Sequence, residues 1–262
     1  AKTPSDFVPF ATVIAPCKGL DEGLAENLNA LLIQDYPSYE VLFVVDDVND
    51  AAVKVIREIS REGSRSTKMV VASRSTESGQ KVENLRAAVL HADERSEIFV
   101  FVDSDVRAGE QWLRSLAAPL ANDGVGAATG YRWFVSDKTN FATELRSAWN
   151  ASIASALGPN TRSNFCWGGS TAIRRKVFER LNIREKWLGT LSDDFAVTRA
   201  ISEAGLPIHH VPRAIVPSAG GCSMFGLFEF TNRQMKITRV YARKLWLMSF
   251  FGSALFNAVM IA

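Results

Sequence analysis

The chain has 262 residues, 47% of them hydrophobic, enough for one large α/β domain or two small ones around a sizeable core. Its 30 basic and 28 acidic residues leave a net charge of +2, which excludes any bulk electrostatic case for nucleic acid as a partner. Cys17, Cys166 and Cys222 are scattered and odd in number, so they form neither a metal-type spacing nor a disulfide scaffold, and they fit a reducing compartment.

Phe10 to Ala15 reads as a first strand, and Pro16-Cys-Lys-Gly19 turns out of it. Leu24, Leu28, Leu31 and Leu32 follow helical spacing and predict a helix over 24–34 with one apolar face. After the turn at Asp35-Tyr-Pro-Ser38, Tyr39 to Val45 is a second buried strand that ends in Asp46-Asp47. Ala52, Val55, Ile56 and Ile59 mark the next helix, Lys68 to Ala72 a third strand, Ser73 to Lys81 a polar loop, and Glu83 to Ala92 another helix. The apolar run Ile98 to Val102 is a central strand leading into Asp103-Ser104-Asp105. This β-α-β-α-β-α-β order predicts a parallel sheet with right-handed crossovers. Further on, the pattern predicts a helix over 109–121, a strand over 125–134, a helix over 140–156 and a Gly-broken strand over 165–173. Ser192 opens a helix as an N-cap, with Asp193 and Asp194 in its first turn, where the helix dipole favours acids. Gly205-Leu-Pro207 ends that helix, Ile208 to Val216 is a last strand, and 224–244 is a basic-aromatic helical segment.

Side chains two apart in an extended segment point the same way, so Asp103 and Asp105 present paired carboxylates at the carboxyl end of the central strand. That end is where open α/β sheets bind ligands. Paired acids repel unless a cation joins them, and hard divalent cations prefer oxygen ligands, so the pair predicts a metal–diphosphate site. Asp46-Asp47, on the same edge of a parallel sheet, is expected close by. Any one acidic cluster alone reads equally well as a turn or a helix cap. Trp167-Gly168-Gly169-Ser170 reads either as the lining of an acceptor pocket or as a bulged strand. His209-His210, with no acid at ligand spacing, read as surface histidines of a strand.

As an ordered set, Val45-Asp46-Asp47, Lys81-Val-Glu-Asn84-Leu85, Asp103-Ser-Asp105, Trp167-Gly-Gly-Ser170 and Ser192-Asp-Asp194 resemble the family 2 inverting glycosyltransferases of the GT-A fold. Within them the chain is most similar to the ceramide glucosyltransferase-like branch, in Pro37-x-x-Tyr39-Glu-Val-Leu and Asp103-Ser-x-Val-Arg107 in particular. The resemblance implies a GT-A type, Rossmann-like, mixed but mainly parallel sheet flanked by helices. It implies transfer of a hexose, glucose from UDP-glucose, to a lipid hydroxyl such as that of ceramide, with Mg2+ or Mn2+ as cofactor. Residue by residue, it implies that Asp47, with Asp46 beside it, receives the nucleotide base. Lys81, with Asn84 in the same motif, reaches the nucleotide or diphosphate. Asp103 sits by the ribose and donor sugar, Asp105 holds the metal, Trp167 and Gly168 border the substrate, and Asp194 is the general base. The family's Gln/Arg-x-x-Arg-Trp motif has its best frame at Arg233-Gln-Met-Lys236-Ile237, which carries Lys for Arg and lacks the Trp. Lys still offers a point charge to phosphate, without the bidentate fork.

The two ends of the sequence suggest a membrane partner. No signal peptide opens the chain. Leu245 to Ala262 carries no charge, and Arg233, Lys236, Arg239, Arg243 and Lys244 precede it. This reads as a catalytic domain over 1–223, then, over 224–262, a basic-aromatic interfacial helix and the start of a membrane segment, with a buried core helix as the other reading. By the positive-inside rule the domain lies on the cytoplasmic face of the membrane. Two other functions fit less of the pattern: a sugar nucleotidyltransferase, whose Gly-rich loop Cys17 to Gly23 reproduces poorly, and a non-catalytic, membrane-tethered module that binds a nucleotide sugar. A dinucleotide-binding oxidoreductase is disfavoured, because no G-x-G-x-x-G follows the first strand.

Overall fold

The structure, a computed structural model, describes residues 6–63, 65–136 and 140–261. The first half alternates strand and helix: β1 (Ala11–Pro16), α1 (Leu24–Leu32), β2 (Tyr39–Val45), α2 (Ala52–Glu62), β3 (Ser66–Val71), α3 (Gln80–Ala88), β4 (Ile98–Val102) and α4 (Trp112–Ala117), the last continued by a 3-10 turn. There follow β5 (Ala127–Val135), α5 (Phe141–Ala154), β6 (Ser170–Arg174), α6 (Arg175–Arg180), α7 (Ile183–Lys186), α8 (Asp193–Glu203), β7 (Ile208–Ala219), α9 (Met224–Tyr241) and α10 (Arg243–Ile261).

The described strands make one seven-stranded sheet in the order β3-β2-β1-β4-β6-β5-β7. β6 alone runs antiparallel, pairing β4 through Val102 and Ser170 and β5 through Thr129 and Thr171. The carboxyl ends of the other six strands and the amino end of β6 therefore share one edge. Each central strand is apolar on both faces because each face is covered. Val13, Val41, Phe43, Val100 and Val102 pack toward α1, α2 and α4. The alternate residues Ile14, Leu42, Val44, Phe99 and Phe101 pack toward α3, α6, α7 and α8, where Phe178 and Trp187 sit edge-on to Phe99 and Phe101 respectively.

The β5–β7 ladder slips between Thr129 and Tyr131. Gly130 occupies the slip because a Cβ there would lie 1.8 Å from the Ala214 carbonyl oxygen. A bulge re-aims the side chains that follow it, and two residues on is Arg132.

Two expectations need correction, and one segment holds helices that no expectation covered. Phe165 to Gly169 is not strand: β6 begins at Ser170, because the consecutive glycines let the chain turn rather than pair. The segment 175–186 holds α6 and α7, each too short to show a helical period in sequence. Lastly, the uncharged run does form a helix, α10, but no helix of the described residues is long and apolar enough to cross a membrane. Trp246, Ser249, Gly252, Ser253 and Asn257 dilute it. The start of α9 belongs to the body, since Leu227 packs with Ala142 and Cys222, and Phe230 meets Phe134 and Trp149 edge-on. Phe225 and Phe228 on the same helix are exposed.

Candidate active site

Beyond β4 the chain is pinned before it can wander. The Ser104 hydroxyl donates to Asp21 at 3.1 Å, and the Asn27 side-chain amide donates to the Ser104 carbonyl at 3.1 Å. Asp103 and Asp105 consequently face the same side, and Arg132 bridges them. Its Nη2 is 3.2 Å from Asp103 Oδ2 and its Nη1 is 3.1 Å from Asp105 Oδ2. The guanidinium also lies over the Trp167 ring, 5.0 Å from its centroid. The cation that the sequence demands for the acid pair is thus partly supplied by the protein itself.

Lys81 adds a second cation, on the Asp103 side alone. α3 starts at Gln80, earlier than the sequence predicts, because Gln80 ties the preceding loop down, accepting from the Ser75 amide at 2.8 Å. Lys81 thereby sits in the first turn of a helix, and its Nζ reaches Asp103 Oδ1 at 2.7 Å and Asp193 Oδ1 at 3.3 Å. Burial works against the ammonium, but Asp103 and Asp193 outweigh it and raise the Lys81 pKa. Burial likewise pushes Asp103 up, yet Lys81 and Arg132 together hold it below the usual carboxylate range. Asp105 ends up above that range: burial raises it, Asp103 and Asp21 add to this, and Arg132 compensates only in part. Asp193 is pushed up to about 6, chiefly by burial. Gly168 permits this packing, since a Cβ there would stand 2.1 Å from Asp193 Oδ2 and 3.0 Å from Lys81 Nζ.

The neighbouring acid points elsewhere. Asp194 Oδ1 accepts from the Phe195 amide at 2.8 Å and from the Ser192 hydroxyl, so it caps α8 as Ser192 does. Its second oxygen takes no hydrogen bond from a described residue. Asp46 and Asp47 share the sheet edge with the cluster but do not join it, because β1 stands between β2 and β4. Asp46 is 3.9 Å from Lys18, and Asp47 Oδ1 accepts from the Asn49 amide at 2.9 Å. Asn84 is buried and accepts from Gln80 Nε2 at 2.9 Å, which makes it a brace for the start of α3. Arg233 reaches the site: with Asp21, Asp105, Arg132, Arg146 and Phe230 it lines a cavity of about 230 Å³. Lys236, one turn on, is exposed and forms no ion pair with any described residue.

The sequence reading did not single out Arg132 or Arg146. A signal existed for the first, a lone charge in the apolar strand Tyr131-Arg-Trp-Phe134. For the second there was none, because a basic residue on a helix is usually a solvated one.

The donor set can be tested against a divalent metal. Among the described residues no group of three or more His, Cys, Asp or Glu is placed to hold one. Both oxygens of Asp103 are engaged by Lys81 and Arg132. Asp105 Oδ1, in contrast, is buried and has no partner. The residues therefore fit an ion held on the protein side by Asp105 alone, its other ligands being phosphate oxygens and water. This suits Mg2+, which keeps several waters and usually binds through one or two carboxylates plus substrate phosphates.

The family described as Glycosyl transferase family 21 matches residues 1–262. Ceramide glucosyltransferase 1 of Caenorhabditis elegans is 20% identical over 238 residues, which cover 89% of this chain and 51% of that protein. Hyaluronan synthase of Streptococcus pyogenes is 27% identical over 259 residues, covering 92% of this chain and 58% of the synthase. The chain thus spans little more than half the length of these curated relatives. Among solved structures, the mannosyltransferase PcManGT of Pyrobaculum calidifontis, in complex with GDP-Man and Mn2+, superposes with a TM-score of 0.60 at 21% identity, over 93% of this chain and 68% of that one. S. aureus TarS 1-349 gives 0.54 at 14% identity, over 91% of this chain and 65% of that one. At these identities the two structures establish the fold, which is the expected GT-A type.

Proposed function

The chain belongs to glycosyl transferase family 21, and from that premise we propose that it is a metal-dependent inverting glycosyltransferase. It moves a hexose, glucose from UDP-glucose, to a lipid hydroxyl such as that of ceramide at the membrane surface. The observation that carries this reading is the cluster at the carboxyl edge of the sheet, where Lys81 and Arg132 hold Asp103, Asp105 and Asp193 together. The ceramide glucosyltransferase relative supports glucose as the sugar and ceramide as the acceptor.

Departure of a nucleoside diphosphate needs its charge stabilised in a preorganised site. Lys81 and Arg233 face that charge, and Arg132 keeps the two acids of Asp103-Ser-Asp105 from repelling each other. A bound Mg2+ or Mn2+, held at Asp105, would neutralise the leaving diphosphate. Asp47 with Asp46 receives the nucleotide base, and Asp103 meets the ribose and sugar. Trp167 and Gly168 border the acceptor. Asp194 takes the proton of the acceptor hydroxyl through its free oxygen as that hydroxyl attacks the sugar, and a single-step inversion needs no second catalytic carboxylate. Asp193 keeps Lys81 in place. The exposed Phe225 and Phe228, with Arg239, Arg243 and Lys244, support residues 224–262 as the element that rests on a cytoplasmic membrane face.

The test is a panel of nucleotide sugars incubated with ceramide vesicles, with Mg2+ or Mn2+ present or chelated, while released nucleoside diphosphate is measured. Release of UDP from UDP-glucose that requires both metal and ceramide is expected. Release of pyrophosphate from UTP and a sugar phosphate would identify a nucleotidyltransferase instead. Donor binding without release under any condition would leave only the binding-module reading.

A further inference from the structure

The cavity beside Asp105 has walls of two kinds. Its lining mixes the acids Asp21, Glu22 and Asp105 with the guanidinium groups of Arg132, Arg146 and Arg233. Among the described residues just two buried side-chain polar atoms lack a hydrogen-bond partner, Asp105 Oδ1 and Arg146 Nε, and both residues line this cavity. One is an acceptor without a donor or cation, the other a donor without an acceptor. Native proteins seldom leave such groups unmatched, since the loss of hydration is uncompensated.

Arg146 is placed as a fixed ligand donor would be. Its Nη2 donates to the Gly220 carbonyl at 2.7 Å, and its guanidinium carbon lies 4.1 Å from the Phe134 ring centroid. Those contacts hold the fork still while leaving Nε unused. No described carboxylate pairs with it, whereas Arg132 on the same ring is matched by two. Burial, with Arg132 nearby adding like charge, holds the Arg146 pKa below the ordinary guanidinium value. Arg233 faces the cavity and also forms no ion pair with a described residue. At about 230 Å³ the space is much larger than the roughly 30 Å³ share of one water.

We propose that Arg146 on α5 is a substrate-contacting residue of this cavity, its guanidinium donating to a phosphate oxygen of a nucleoside diphosphate. This rests on the glycosyltransferase reading above and names a residue that the family motifs do not mark. It also accounts for Lys236, where the motif places an Arg, facing solvent: Arg146, from another helix, provides the fixed guanidinium contact to the leaving group.

The test is a calorimetric comparison of UDP and UMP binding, each with Mn2+, to the full chain and to Arg146→Gln and Arg146→Lys. Loss of one charge-assisted hydrogen bond predicts UDP affinity weaker by about 10–100-fold in Arg146→Gln. UMP affinity should change less than twofold, and Arg146→Lys should recover part of the loss. An unchanged ratio of UDP to UMP affinity in Arg146→Gln would overturn the assignment. Should that variant fail to fold, Arg146→Lys, which can still donate to the Gly220 carbonyl, decides the question by the same ratio. If the unmodified chain shows no Mn2+-dependent preference for UDP over UMP, the glycosyltransferase reading falls and the Arg146 proposal with it.

Discussion

Asp193 and Asp194 are adjacent acids with opposite surroundings, and their difference can be measured. Asp193 is buried against Lys81 with its pKa raised to about 6 from 3.8. An acid that binds its proton more tightly when folded destabilises the fold as pH rises between the unfolded and folded values, here from about 4 to about 6. Over that window the chain should lose stability as Asp193 gives up its proton. Asp193→Asn should abolish that slope in thermal or urea unfolding followed against pH, and an unaltered slope would show that Asp193 does not titrate there. Asp194 is half-buried at the α8 cap and uses one oxygen there, with the other to spare. Asp194→Asn keeps the shape of the cap but cannot accept a proton, so donor binding should persist while transfer falls by about 10²–10⁴-fold. A loss of UDP binding by calorimetry would instead assign Asp194 to nucleotide recognition. Which acid faces Lys81 was illegible in Ser192-Asp-Asp194, because neighbouring helix residues diverge by about 100° and only the packing under Gly168 chooses between them.

The elements that carry the site are ordinary in sequence and particular in how they are joined. β5 is the example. Its apolar alternation reads plainly, but the slip at Gly130 depends on how closely β7 passes. Gly130→Ala would place a Cβ 1.8 Å from the Ala214 oxygen, so backbone must move rather than a side chain. The expected cost is at least the 1–3 kcal/mol typical of overpacking, seen as a lowered melting temperature. The displaced Arg132 should also weaken metal-dependent UDP binding. A variant with wild-type stability and UDP affinity would show that the bulge does not aim Arg132. α9 joins in a different way. The Tyr241 hydroxyl accepts from the Leu191 amide at 2.7 Å, and its ring stacks on Phe195 at 5.7 Å. One helix thus touches the cavity through Arg233 and the start of α8 through Tyr241. The sequence marks 224–244 as a basic-aromatic helical segment but cannot show that its middle lines the cavity while its end meets the start of α8.

For the whole molecule, the open question is what α9 and α10 rest on. Phe225 is 78% exposed and Phe228 66% exposed, and Arg239, Arg243 and Lys244 follow on the same two helices. Each basic residue near an anionic surface contributes about 1 kcal/mol, and the contribution falls with ionic strength. The chain should therefore co-sediment with anionic vesicles at low salt and detach as salt rises, with Phe225→Ser and Phe228→Ser together weakening the interaction. Equal recovery with neutral and anionic vesicles, or none with either, would remove the interfacial role. By itself the sequence determined the α/β class, the first four strands and their crossovers, and the residues at the sheet edge. Those features depend on local hydrophobic period and on acids that end strands, both of which are written residue by residue. Tertiary structure alone decided that β6 inserts antiparallel between β4 and β5 and that Arg132 bridges Asp103 and Asp105. It also decided that Asp193 faces Lys81 and that Arg146 lines the cavity. Each of these depends on side chains far apart in the chain meeting across packed elements, and a local pattern carries no record of such distances.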